Sequence, residues 1–247
     1  MAPLNKLNYI NAIASCLIAF HTLQVDLGPE YEFFQKFSIA ALPERYEEGA
    51  MTPTQPFFFV FNIVSLSLVL FSIVQLLPAY RSSPMVQGAV EYWLIAAALA
   101  QVIGFAVAGE ERDNVTRTFF STLFFAVMGV FTWIVLDKQA KTKSDDSPEE
   151  YWLLCVPFSL LAGWSLCLTI MSANVLVRDA EPGFNFGSFF KVIVVLSSLA
   201  LYAGIPIKLL LFNGSKPNYI IPITISIVTV SQHLIIKLCF SETYCLI

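Results

Sequence analysis

Seven stretches of this 247-residue chain are apolar over a length that matches the hydrocarbon layer of a membrane. That layer is about 30 Å thick, and a helix rising about 1.5 Å per residue needs ~20 residues to cross it. The stretches are 8–24, 56–77, 90–109, 118–136, 152–177, 188–212 and 220–240. Turn formers and charges separate them, as in Arg81-Ser-Ser-Pro84, Glu110-Glu-Arg-Asp113 and the lysines and acids of 141–150. A membrane β-barrel would alternate apolar and polar residues in segments of about ten, and these runs are continuous. The expected fold is all-α: one integral membrane domain over residues 1–247, a polytopic helical bundle of about seven transmembrane helices. Only 13% of residues are charged, against about 25% in soluble domains, so too little polar surface exists for a water-soluble fold. The net charge of −4 and pI near 5.2 give no field to attract phosphates. The lipid bilayer is the expected partner, and nucleic acid is not.

The first span is the least apolar, since it carries Asn8, Asn11 and His21. Lys6 ahead of it imitates the start of a secretory signal, but no small-x-small cleavage site follows, so it reads as a retained helix. Seven spans place the termini on opposite faces. The 14 Lys and Arg residues divide equally between those faces, so the positive-inside rule does not orient the chain. The sequons at Asn114 and Asn213 fall on opposite faces, and at most one is open to glycosylation. Cys16, Cys155, Cys167 and Cys239 lie within spans and Cys245 beyond them, with no CxxC spacing. They read as buried small residues.

A charge at the centre of a membrane helix costs ~2.5–3.5 kcal/mol and marks function by default. Glu91, Lys191, Lys208 and Lys237 all sit near span ends, where long side chains reach the interface. With no charge expected at mid-membrane, proton pumps and ion-coupled carriers are poor readings. His21 and His233 belong to no metal-spaced cluster, and the many hydroxyls have no paired base. The acidic Glu44, Glu47 and Glu48 read as a solvated loop edge. The chain is expected to be neither an enzyme nor a metal-site protein.

What remains is uncharged polarity on helical faces. Asn62, Ser65, Ser72 and Gln75 recur at helical spacing in the second span, Ser165, Thr169 and Ser172 in the fifth, and Ser226, Thr229, His233 and Lys237 in the seventh. Polar side chains avoid lipid, so these stripes are expected to face the bundle, as interhelical bonds or as the lining of a ligand cavity. Ala96, Ala100, Gly104 and Ala108 form a small-residue ridge that admits a close helix crossing. Tyr80, Tyr92, Trp93, Tyr151 and Trp152 lie at span ends, where aromatic rings favour the interface.

Two groups of residues carry a family resemblance. Thr52-Pro53 with Phe58, Phe61 and Gln75-Leu-Leu-Pro78 resembles the second-span signature of the TspO/MBR proteins, the tryptophan-rich sensory or translocator-protein family, in its longer variety. Val156-Pro157-Phe158-Ser159 with Gly163-Trp164, Thr169 and Asn174 is similar to a later segment of the same family. The resemblance covers about residues 51–174. It implies a five-helix core with an internal pocket for tetrapyrroles and other hydrophobic ligands, in a receptor, transport or regulatory role. It further implies ligand-binding roles for Pro53, Phe58, Phe61, Asn62, Gln75, Gln101, Trp164 and Asn174. Phe61 stands where the family has Trp, Val64 where it has Tyr, Gln101 where it has Asn, and Gly104 where it has Trp. The Trp164-to-Asn174 spacing is also longer by two residues, and the aromatic lining is thinned.

Two functions follow as expectations. In the first, the bundle binds a porphyrin, a chlorophyll-type pigment or a sterol, and Trp164 is the ring on which a flat ligand stacks. In the second, the chain is a structural or pigment-holding accessory subunit of a homo-oligomer or larger membrane complex. His21 or His233 would then ligate a metal-centred tetrapyrrole.

Overall fold

The computed structural model describes residues 5–27, 55–108, 115–142 and 148–184, together with 193, 196–198, 200, 201, 204, 220, 221 and 223–226. Five long helices coincide with the first five apolar stretches: α1 (Lys6–Leu27), α2 (Gln55–Val74), α3 (Trp93–Ala108), α4 (Val115–Thr142) and α5 (Val156–Phe184). Among the described residues there is no strand. Val115–Thr142 and Pro148–Val177 are each long and apolar enough to cross a membrane, and Asn62–Val74 and Trp93–Ala108 are shorter apolar helices. The sixth and seventh stretches lie largely outside the described residues, and those of their residues that are described are helical.

The helices close into a ring. α1 packs along α2 and α3, α3 along α4, α4 along α5, and α5 returns to α2. Consecutive ring helices joined in sequence run antiparallel. The α1–α2 pair shows it through Asn8 against Gln75 and Cys16 against Ser72. In α4–α5 the markers are Gln139 against Leu154 and Thr122 against Ser172. One end of the ring, here called proximal, therefore gathers the start of α1, the end of α2, the start of α3, the end of α4 and the start of α5. Tyr80, Tyr92, Trp93, Tyr151 and Trp152 all lie at this end, and Tyr92 and Trp152 are exposed as interfacial rings should be.

Aromatic edges hold the ring together. Phe71 of α2 meets Phe158 of α5 edge-on at 4.8 Å, and Phe105 of α3 meets Phe125 of α4 at 5.0 Å. The small-residue ridge of α3 faces α4: a Cβ on Gly104 would lie 2.9 Å from Phe125 Cε1. Two prolines are absorbed by widened turns. Pro84 precedes the π-helical turn Met85–Val90. Tyr151–Cys155 forms another π turn just before Pro157, which has no N–H and crowds the carbonyl four residues back.

α5 is the most enclosed helix. In its most apolar stretch 78% of residues are buried, against 28% in α4. The ring covers one side of α5, and later residues cover the other. Gly163 lies against Thr224, whose Cβ would be 3.0 Å from an added Cβ, and Asn174 Nδ2 donates to Ser198 Oγ at 3.1 Å. The opposite arrangement holds for α4, which turns Phe119, Phe120, Leu123, Val130 and Trp133 outward.

Two expected inward positions are corrected. Asn62 is exposed: it lies two residues, or about 200°, from Val64, which with Leu68, Phe71 and Gln75 marks the buried face. Ser226 is exposed as well, because Ile221, Thr224 and Ile225 define the buried stripe there and Ser226 falls outside it.

Glu91 ends the first π turn at φ 41°, a left-handed backbone that a side chain adopts at a cost. Its carboxylate accepts from Lys138 Nζ at 2.7 Å, and the same ammonium lies 5.5 Å from the Trp93 ring centre. Both side chains are about one-third exposed, so solvent weakens the pair. Lys138→Met is expected to cost about 0.5–1 kcal/mol, and less in high salt. Thermal unfolding at low and high salt checks it; a large, salt-insensitive loss would show that lipid shields the pair.

Candidate functional site

The interior of the ring is polar along one line. Asn8, Asn11, Ser15, Ile18 and Thr22 of α1 are all fully buried, and their alternating spacing of three and four keeps them on one face. The hydroxyls satisfy themselves by bonding back one turn, Ser15 Oγ to Asn11 O at 2.8 Å and Thr22 Oγ1 to Ile18 O at 2.7 Å. The amides are too large for that and reach across to other helices.

At mid-height Gln101 Nε2 of α3 donates to Thr22 Oγ1 at 3.2 Å and Ile18 O at 3.4 Å. Its Oε1 finds no partner among the described residues, and neither do Ser65 Oγ of α2 and His21 Nδ1 of α1. Ser65 stands roughly 15 Å along α2 from Gln75, which is the height at which Ile18 and Gln101 meet. The half-buried His21 ring lies nearly parallel to Phe105, with centroids 6.4 Å apart. Three helices thus bring to one level, beside aromatic rings, three polar atoms without a partner among the described residues.

The proximal end carries a second group. Asn8 Nδ2 donates to Gln75 O at 3.0 Å and Arg81 O at 3.2 Å. Gln87 Nε2 donates to Asn8 Oδ1 at 2.6 Å and Arg81 O at 2.7 Å. This lattice ties α1 to the segment between α2 and α3. Behind it lie the fully buried side chains of Asn11 and Gln75, and none of their nitrogens or oxygens finds a partner among the described residues.

The residues that the resemblance singles out are strung along the bundle. Gln75 is proximal, and Gln101 stands at mid-height, about 12–15 Å away along the helices. Asn174 is distal, and its amide is engaged by Ile170 O at 2.7 Å and Ser198 Oγ, on the side of α5 away from the ring. Trp164 is fully buried. It lies about 100° from Ser165, whose Oγ faces Gly129 of α4, and about 100° from Gly163, which faces Thr224. It therefore occupies a flank of α5 between the ring and the last spans. Pro53, His233 and the side chains of Phe58 and Phe61 lie outside the described residues.

Residues 8–214 match the family of TSPO-like proteins. The chain belongs to that family. Among curated proteins and solved structures, none matches it. The TSPO-like match begins at Asn8 and takes in all five ring helices, well beyond the 51–174 segment of the motifs. As a TSPO-like chain this is a membrane protein, and α4 turns an apolar face outward. Among the described residues of this TSPO-like protein, no three His, Cys, Asp or Glu side chains gather as a metal site. Ser65 belongs to the polar stripe read from the second span, whereas Asn11 did not stand out in the sequence as a site residue. The available signal was the heptad-like polar line of α1, which lowers the hydropathy of the first span for the same reason that it faces inward.

Proposed function

We propose that this TSPO-like protein holds a hydrophobic ligand of tetrapyrrole type within its five-helix ring, in a receptor, transport or regulatory role. The observation that carries the reading is the mid-height trio Ser65 Oγ, Gln101 Oε1 and His21 Nδ1. A buried polar group without a partner costs about 1–3 kcal/mol, and three at one level on adjoining helices suit a ligand with a few polar atoms on an apolar body. The near-parallel His21 and Phe105 rings offer a flat face beside them, and His21 would offer a metal-centred ring a nitrogen ligand there. A sterol hydroxyl would meet the same polar atoms.

The test is titration of the purified protein with protoporphyrin, followed by tryptophan fluorescence. Saturable quenching is expected. Gln101→Leu should weaken binding about three- to tenfold, the range of one lost hydrogen bond. Trp164→Phe should change the amplitude more than the affinity, because Trp164 sits on the flank of α5. Quenching that rises linearly and ignores Gln101→Leu would leave only partitioning into the detergent. The accessory-subunit reading would then take its place.

A further inference from the structure

The mid-height trio leaves the proximal amides unexplained. Asn11 and Gln75 are fully buried on adjoining helices at one level, since Asn8, one turn from Asn11 on the same face, bonds the backbone of Gln75. The Arg81 backbone stands beside that of Gln75, since the two carbonyls accept from the same Asn8 nitrogen. Arg81 Nε is enclosed without a hydrogen-bond partner, and the guanidinium has no ion-pair partner among the described residues. An arginine donates N–H only, and each amide brings two N–H donors and one oxygen. The group is therefore rich in donors and carries one positive charge.

We propose that this end of the ring is a binding site for an oxyanion, a carboxylate or phosphate, gripped by Arg81 and the amides of Asn11 and Gln75. The chemistry is that of charge-assisted bonds, which are shorter and stronger than neutral ones and strongest where water is excluded. The wall toward mid-height carries the buried apolar side chains Ala14, Ile18, Leu68, Phe71 and Leu94, and the hydroxyls of Ser15 and Ser72 among them are bonded back to their own helices. That wall suits an oxyanion carried on an aliphatic chain, with its head at the aromatic interface and its tail in the ring. The site stands about 15 Å along α2 from Ser65 and does not rest on the mid-height ligand.

The experiment uses the full chain in lipid nanodiscs, with thermal unfolding read against oleate, oleyl alcohol and inorganic phosphate. Oleate at about a hundredfold excess over its Kd should raise Tm by roughly 5–10 °C, and oleyl alcohol should not. A response to phosphate as well would name the free oxyanion as sufficient; a response to oleate alone would name the amphiphile. Arg81→Met should abolish the response while sparing the fold, since Arg81 serves the Asn8 and Gln87 lattice only through its backbone carbonyl. Gln75→Met should raise Tm without ligand, by removing unsatisfied buried polar atoms, and weaken the oleate response. No response to either anion, an equal response to oleyl alcohol, or a response that survives Arg81→Met would overturn the proposal.

Discussion

Gly104→Leu is expected to force α3 and α4 apart and to destabilise the bundle by about 1–3 kcal/mol, the usual cost of overpacking. The first added carbon alone would stand 2.9 Å from Phe125 Cε1, 3.1 Å from Phe125 Cδ1 and 3.3 Å from Phe124 Cβ. Phe125 cannot swing clear, because it is fully buried and edge-packed on Phe105. Three further carbons, a branch point and two methyl groups, would have to enter the same space. Gly104→Ala should be milder, since a shift of Phe125 by a few tenths of an ångström accommodates one carbon. Unfolding in mild detergent ranks the three proteins. A Leu variant as stable as the parent would mean that α3 and α4 do not cross at Gly104.

Asn8→Leu should be comparably damaging, at about 1–3 kcal/mol, although the two side chains have nearly the same shape. The change removes donors from Gln75 O and Arg81 O and the acceptor of Gln87 Nε2. Arg81 O and Gln87 Nε2 keep their bond to each other, but Gln75 O loses its donor, and a buried group left without a partner costs about 1–3 kcal/mol. The informative comparison lies one turn away. Asn11 makes no side-chain bond to the described residues, so Asn11→Leu should be neutral or stabilising in ligand-free protein. Equal losses at the two positions would show that α1 is held by its packing surface and not by the Asn8 lattice.

Much of this arrangement was legible in the sequence because bilayer thickness dictates it. The first five apolar runs became helices with ends displaced by a few residues, and the turn former Pro84 falls just before a widened turn. Gly104 was legible too, since a strict i+4 ridge of small residues has few uses besides close packing. The order of helices around the ring was not. It depends on the meeting of Phe71 with Phe158, far apart in the chain, and no local pattern encodes that pairing. Facing failed where polarity was taken as direction. Asn62 and Ser226 are polar but lie on outward faces, because rotation about the helix, set by large apolar neighbours such as Phe71 and Ile225, overrides one polar residue. The candidate site was legible only in part: Gln75 and Gln101 are both buried and incompletely satisfied, but at two levels. The α1 polar line was mistaken for weakness because hydropathy averages over a helix and ignores which face is wet.

The contact of α5 with both α4 and α2 has a bearing on how the protein is made. Before residue 156 is synthesised, the first four helices can form only an open row, α2–α1–α3–α4, with the flanks of α2 and α4 uncovered. α5 joins the two ends of that row, so the ring becomes a closed object late in translation, through a long-range contact of the slow-forming kind. Until then the Phe71 and Gly129 flanks are available to any passing helix, including that of another nascent copy. Substitutions that weaken the grip of α5, at Phe158 or Ser165, should therefore show themselves first as poor yield and aggregation during expression, while the few molecules that do close remain well folded.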